Sequence, residues 1–216
     1  KLLFVLPSNS YMAYSNDNLG TNSVVAQLLA GKVPVMSAAD LYLNEHREYG
    51  LSTYSLHSDG SGVAISSRLR PILNMRPKYR HWLSPSLWQL NADLHLTDWL
   101  EEKNLDFDVV TDEDLHIEGV DMLNRYGCVL TGSHPEYSSE KMLAAYESYQ
   151  LNGGRWIYLG SDGFYWVSEY HPDNPNIIEV RKGEAGTRAW TANPGEYNNA
   201  FDGKYGGMWR ARGRIP

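Results

Sequence analysis

The chain has 216 residues, 42% apolar and 21% charged, enough for one substantial core and too apolar for a disordered segment. Its formal net charge of −7 leaves no basic surplus to hold a nucleic-acid backbone or an anionic membrane, so neither is expected as a partner. Cys128 is the only cysteine, which excludes a disulfide framework and a thiolate zinc site and fits a reducing compartment such as the cytoplasm.

"KLLFVL" (1–6) reads as a buried strand, continuous in its apolar character. A chain that opens inside a strand, without an initiator Met, is expected to be an excerpt of a longer one. The polar "SNSYMAYSND" follows, and "GLSTYSLHSDGSGVAIS" (50–66) is a loop with turn chemistry at Asp59-Gly60-Ser61-Gly62. Residues 91–103 predict a helix capped by Asn91, with Leu94, Trp99 and Leu100 inward. "FDVVT" (107–111) predicts a short strand and 112–124 a second, weaker helix. "GCVLTG" (127–132) is a strand, and Ser138 or Ser139 caps the helix after it, with Glu140 at its positive end. Met142, Tyr146 and Tyr149 repeat at helical spacing, and Gly153-Gly154 ends that helix. "RWIYLG" (155–160) completes a βαβ unit, which implies a parallel pair with a right-handed crossover. Beyond Tyr170, "IIEVRKG" predicts one more strand. The remainder is rich in Gly and aromatics without a period, and Arg210, Arg212 and Arg214 read as a solvated basic tail. No apolar run approaches the roughly 20 residues of a membrane span. The expected architecture is a single α/β domain over 1–216, with a core over 1–170 and an irregular extension over 171–216. Its sheet is expected to be open and mostly parallel, with helices on both faces.

In such a sheet ligands bind beyond the carboxyl ends of the strands. Three polar segments fall there: "SNSYMAYSND", "GSHPEY" and "SDGFYW", with the stretch around Tyr54 as a fourth. They carry His134, Glu136, Tyr137 and Asp162. Each also has a plainly structural explanation. His134 can bond a loop carbonyl, Glu136 can favour a helix N-terminus, Asp162 can serve a tight turn, and Tyr14 and Tyr54 can be packing residues. Pro135 stiffens the turn between His134 and Glu136. Neither HExxH nor GxSxG is present, and "SDGSG" lacks the Lys and following helix of a phosphate loop.

The strings "TGSHPEYSSEKMLAAYESYQLNGGRWIYLGSDGFYWV", "STYSLHSDGSG", "SNSYMAYSND" and "GTRAWTANPGEYNNAFDGKYGGMWR" strongly resemble the large (β) subunit of N,N-dimethylformamidase. The likeness runs from residue 1 to about residue 212. It implies a class I glutamine-amidotransferase-like (flavodoxin-like) fold and a longer large subunit working with a small (alpha) subunit in a hetero-oligomer. It further implies a mononuclear non-haem Fe3+ held by two tyrosinates and a glutamate, which by motif are Tyr14, Tyr54 and Glu136. His134 matches the family's non-ligating active-site histidine, Tyr11 is the alternative to Tyr14, and Tyr137 is expected outside the ligand set. The implied reaction is hydrolysis of a small-molecule amide, N,N-dimethylformamide, to formate and dimethylamine. Imidazole titrates near neutral pH, which suits His134 to proton transfer, and Phe164, Tyr165 and Trp166 are expected to wall the N-methyl groups. Where the family reads "GGNGFYW" this chain reads "GSDGFYW". An ionised Asp162 only accepts hydrogen bonds, whereas Asn also donates, so altered substrate preference or activity is expected. Two alternatives stand beside this reading: a non-catalytic relative serving as a binding or assembly module, and a metal hydrolase of another small amide.

Overall fold

The computed structural model describes residues 1–18, 28, 31, 36–82, 86–186 and 189–214. In chain order its elements begin with β1 (Leu2–Leu6), α1 (Ser8–Ala13), α2 (Ala38–Glu45), β2 (Ile65–Ser67) and α3 (Leu90–Glu102). Then come β3 (Phe107–Thr111), α4 (Asp112–Glu118), α5 (Val120–Leu123), β4 (Cys128–Thr131) and β5 (Tyr137–Ser138). The last are α6 (Glu140–Leu151), β6 (Trp156–Ile157), β7 (Trp166–Val167), β8 (Glu169–His171) and β9 (Asn174–Glu179).

The principal sheet is wholly parallel, in the order β3-β1-β4-β6. Leu2 of the central β1 aligns with Phe107 on one side and Cys128 on the other. Strand alternation sends Leu3 and Val5 to one face, where they join Val129, Leu115, Met122 and Met142 in the main core cluster. That face is covered by α4, α5 and α6. Phe4, on the opposite face, is also fully buried. An antiparallel sheet, β2-β9-β8, and a short parallel pair, β5-β7, lie beside this frame. Among the described residues no helix is long and apolar enough to cross a membrane.

The βαβ unit is present as expected, with Ser139 as the cap of α6 and Met142, Tyr146 and Tyr149 buried. Several local expectations are corrected. Residues 112–124 form two helices because Gly119, at φ +62, breaks the run. The helix expected from Asn91 begins at Leu90. Asn91 lies inside it and braces the preceding loop, accepting from the Lys78 amide and donating to the Arg76 carbonyl, both at 3.0 Å. Leu100 is buried, but Leu94 and Trp99 are 49% and 46% exposed. The inward line of α3 runs through Asp93 and Leu100, seven residues apart, and the two misassigned residues each stand about 100° off it. The last strand spans Asn174–Glu179, ahead of the expected "IIEVRKG". The basic tail is only partly solvated: Arg210 is exposed, while Arg212 lies over the Trp209 ring and Arg214 pairs with Glu147 at 2.8 Å.

Candidate active site

Numbered along the chain, the four parallel strands run 2-1-3-4, so the order reverses between β1 and β4. Ligand sites open beyond the carboxyl ends at such a point. β1 passes directly into α1, whose last turn ends at Tyr14 with its amide on the Ser10 carbonyl at 3.0 Å. β4 runs out into Gly132–Pro135, where Asp93 of α3 takes the Ser133 amide at 2.5 Å. The Glu136 amide is held by the His134 carbonyl and by Ser10 Oγ, at 2.9 and 3.1 Å. Tyr54 reaches the same place from a distant loop. The Thr53 amide and hydroxyl both bond the Ala13 carbonyl at 3.0 Å, and Trp190 Nε1 clamps the Thr53 carbonyl at 2.7 Å.

These constraints bring Tyr14, Tyr54 and Glu136 together. The Tyr14 hydroxyl donates to Glu136 Oε2 at 2.9 Å, and the Tyr54 hydroxyl donates to the Tyr14 oxygen at 2.7 Å. Tyr54 also lies 3.4 Å from Glu136 Oε1, and the two tyrosine rings stack with centres 4.4 Å apart. Tyr11 points elsewhere, its hydroxyl bonded to Asp93. His134 Nε2 lies 3.4 Å from Glu136 Oε2 and 3.5 Å from Asp162 Oδ2. Asp162 is held in the left-handed region at φ +50 and its side chain is 70% exposed, so this carboxylate is the one that faces solvent.

Burial sets the electrostatics. It pushes the Tyr14 and Tyr54 hydroxyls well above the ordinary phenol range, with the Glu136 charge adding to the shift. Burial also raises the Glu136 carboxyl, opposed by His134, by Lys182 and by the Tyr14 hydrogen bond. These oxygens form a chain of hydrogen bonds from Tyr54 through Tyr14 to the Glu136 carboxyl group.

Tyr137, expected as a neighbour outside the ligand set, has its hydroxyl 2.6 Å from that of Tyr54. Of the proposed aromatic wall, Phe164 belongs instead to the main core, beside Tyr146 and Trp156. Trp166 is fully buried beneath Lys182, and Tyr165 packs edge-on against it. The wall facing the tyrosines is built from Trp88 and His81. Their rings stack 4.9 Å apart and present edges to Tyr14 at 6.0 and 6.2 Å. His81 Nε2 is fixed by Asp17 at 2.7 Å.

Sequence reading does not single out Lys182, Trp88, His81 or Gln89. Lys182 follows Arg181 and looks like half of an exposed basic pair, yet it is fully buried, and burial pushes its ammonium down to about 7 while Glu136 pulls it upward. Gln89 has one legible signal, its nearness to an expected helix start; it sits at φ +52 with Nε2 3.3 Å from His134 Nδ1. Among the described residues no group of three or more His, Cys, Asp and Glu is placed to hold a metal.

A family model described as N,N-dimethylformamidase beta subunit-like, C-terminal, matches residues 1–216. The chain is 46% identical over 216 residues to the N,N-dimethylformamidase beta subunit of Paracoccus aminophilus, covering 100% of this chain and 28% of that protein. It is 45% identical over 215 residues to the protein of the same name from Alcaligenes sp, covering 99% of this chain and again 28% of the relative. The chain thus spans 28% of the length of these curated relatives.

Proposed function

Because the chain belongs to the N,N-dimethylformamidase beta subunit-like, C-terminal family, we propose that it carries the catalytic centre of an iron-dependent amide hydrolase. The substrate is N,N-dimethylformamide or a similar small N-substituted formamide, and the products are formate and an amine. Tyr14, Tyr54 and Glu136 would hold a mononuclear Fe3+. Hard cations favour oxygen donors, and two phenolates with one carboxylate neutralise three positive charges. Donors that share one ion must converge on it, so their oxygens must stand close together. The single observation that carries the reading is the spacing of these oxygens, 2.9 Å for Tyr14–Glu136 and 2.7 Å for Tyr14–Tyr54. When bound, the ferric ion supplies Lewis acidity to the amide carbonyl and acidity to a coordinated water.

The chain's own residues do the rest. His134, oriented by Gln89 on Nδ1, presents Nε2 toward Glu136 and Asp162 and there holds or moves a proton. Trp88 and His81 shield the Tyr14 side from water and offer apolar surface to N-methyl groups. Asp162 stands beside His134 and can only accept while ionised. The strand order, with the site at the β1 and β4 exits, supports a class I glutamine-amidotransferase-like fold. Both relatives are named as beta subunits, which supports work with an alpha subunit in a hetero-oligomer.

The test uses the complete protein purified in air. It is expected to be coloured by tyrosinate-to-iron charge transfer, to lose or shift that band in Tyr54→Phe, and to release formate from dimethylformamide. A colourless, zinc-bearing preparation would reject the ligand set. Iron uptake without formate release would leave a binding module or a hydrolase of another amide, which a panel of small amides separates. Asp162→Asn is expected to raise turnover on dimethylformamide, because the side chain gains a donor and loses a charge that repels developing negative charge.

A further inference from the structure

Lys182 Nζ lies 4.3, 4.4 and 4.9 Å from the ring centres of Tyr54, Trp166 and Tyr137. It is 2.7 Å from the Tyr137 hydroxyl oxygen. Aromatic faces carry negative potential and hold a cation. Lys182 Nζ is the donor of that bond, so the Tyr137 oxygen accepts it. The single proton of Tyr137 is then left for the Tyr54 oxygen, 2.6 Å away. Tyr54 donates onward to Tyr14, and Tyr14 to Glu136. Four hydrogen bonds therefore run one way, from a buried cation to a buried carboxyl group. Its first two members are anchored by the fold: Tyr137 is paired to Trp166 through β5-β7, and Lys182 accepts the Ala192 amide on its carbonyl at 2.9 Å.

We propose that Lys182 and Tyr137 are positioning residues for the Tyr54 oxygen. Lys182 Nζ turns the Tyr137 hydroxyl toward the Tyr54 oxygen, where it would also donate to a Tyr54 phenolate holding the ion. This inference rests on Tyr54 being an iron ligand, as proposed above. Were Tyr54 and Tyr14 to hold the ion as phenolates they would have no proton to donate, and Tyr137, whose oxygen is taken by Lys182, would remain the donor to Tyr54. The two phenolates are then inequivalent: Tyr54 carries a hydrogen bond from Tyr137, whereas Tyr14 receives none from this chain of donors. Partners of this kind orient a ligand and tune its donation to the ion.

The experiment compares the complete, iron-loaded protein with Tyr137→Phe, Lys182→Met and the double variant, reading the charge-transfer band and iron affinity. Tyr137→Phe removes one oxygen and keeps the ring. A phenolate relieved of a hydrogen bond gives up an electron more readily, so the band is expected to move to longer wavelength, with iron affinity lowered about 10-fold. Lys182→Met is expected to move the band the same way in the wild-type background and by clearly less in the Tyr137→Phe background, where only its direct contact with the Tyr54 ring is left to lose. A wild-type band that neither variant moves overturns this inference alone. A Lys182→Met shift of equal size in both backgrounds overturns it too, because it would show a direct charge effect on the centre. A wild type that takes up no iron overturns the ligand set and this inference together. Should Tyr137→Phe fail to fold by circular dichroism, the Lys182→Met band decides alone.

Discussion

Gly160 shows how little room surrounds the candidate catalytic residues. A Cβ at this position would lie 2.4 Å from Pro135 Cδ and 2.9 Å from the Gly132 carbonyl oxygen. Pro135 is rigid and stands between His134 and Glu136, so whatever yields to an added methyl moves that pair. Overpacking of this kind costs about 1–3 kcal/mol. Gly160→Ala is therefore expected to lower the melting temperature by several degrees and to reduce formate release by far more than the folded fraction falls. Gly127 provides the comparison. It lies at the opposite end of β4, and its added Cβ would meet nothing closer than the Lys1 carbonyl at 3.8 Å. Gly127→Ala is expected to leave formate release within twofold of wild type; equal losses in the two variants would show that Pro135 is not held by this contact.

At the scale of elements, α4 places a buried acid and a buried base one turn apart. Asp112, its first residue, accepts the Asn9 amide at 2.9 Å, and burial pushes its carboxyl up to about 8. His116 Nδ1 meets Ser139 Oγ, the cap of α6, at 2.8 Å, and burial pushes its imidazole down to about 4. The two act on stability with opposite signs. A carboxyl whose folded pKa is raised contributes stability that is complete below about 3.9, its unfolded value, and is lost as pH rises through about 8. An imidazole whose folded pKa is lowered contributes stability that is complete above about 6.5 and is lost as pH falls through about 4. Between about 4 and 6.5 the slopes oppose each other, one proton each, and the burden of Asp112 emerges above that window. Asp112→Asn keeps an oxygen for the Asn9 amide and removes the charge. Its melting temperature is expected to match wild type near pH 4, to gain on it as pH rises to about 8, and to hold a constant lead beyond; a lead that shrinks over that range would refute the assignment. The same elements show what patterning conveys. The β4-α6-β6 unit is legible because Ser139, the Met142–Tyr146–Tyr149 spacing and Gly153 all agree. The inward line of α3 is not, because one of its two anchors is the carboxylate of Asp93, buried by its bonds to Tyr11 and Ser133 rather than by apolarity.

At the scale of the whole molecule, the candidate site joins segments more than a hundred residues apart, and its legibility follows from how each is held. Tyr14 and Glu136 follow two strands of the expected, mostly parallel sheet, so their convergence beyond its carboxyl ends is readable from strand ends alone. Tyr54 arrives through side-chain and backbone hydrogen bonds that carry no periodic signal; its stretch is a candidate without a strand of its own, and only the family resemblance gives Tyr54 a ligand's role. Lys182 arrives within the expected strand "IIEVRKG", where its place beside Arg181 gives no sign of burial. The chain beyond residue 170 is built into both cores. Trp209 is buried in the main cluster and donates through Nε1 to Ser138 Oγ at 2.9 Å, while Ile178 and Val180 pack with Met12, Tyr137 and Trp166 in the second cluster. Burial of each such side chain contributes about 1.5–3 kcal/mol. Together the three rival the roughly 5–15 kcal/mol by which a domain stays folded. Their removal would also uncover Trp166 and Tyr137 and take away the cation over their rings. A chain cut after Tyr170 is therefore expected to lack near-ultraviolet circular dichroism, to unfold without a cooperative transition and to be digested by protease within minutes, under conditions in which residues 1–216 resist. A sharp thermal transition and protease resistance in the shortened chain would instead establish residues 1–170 as a self-sufficient core, with Lys182 supplied by a dispensable arm.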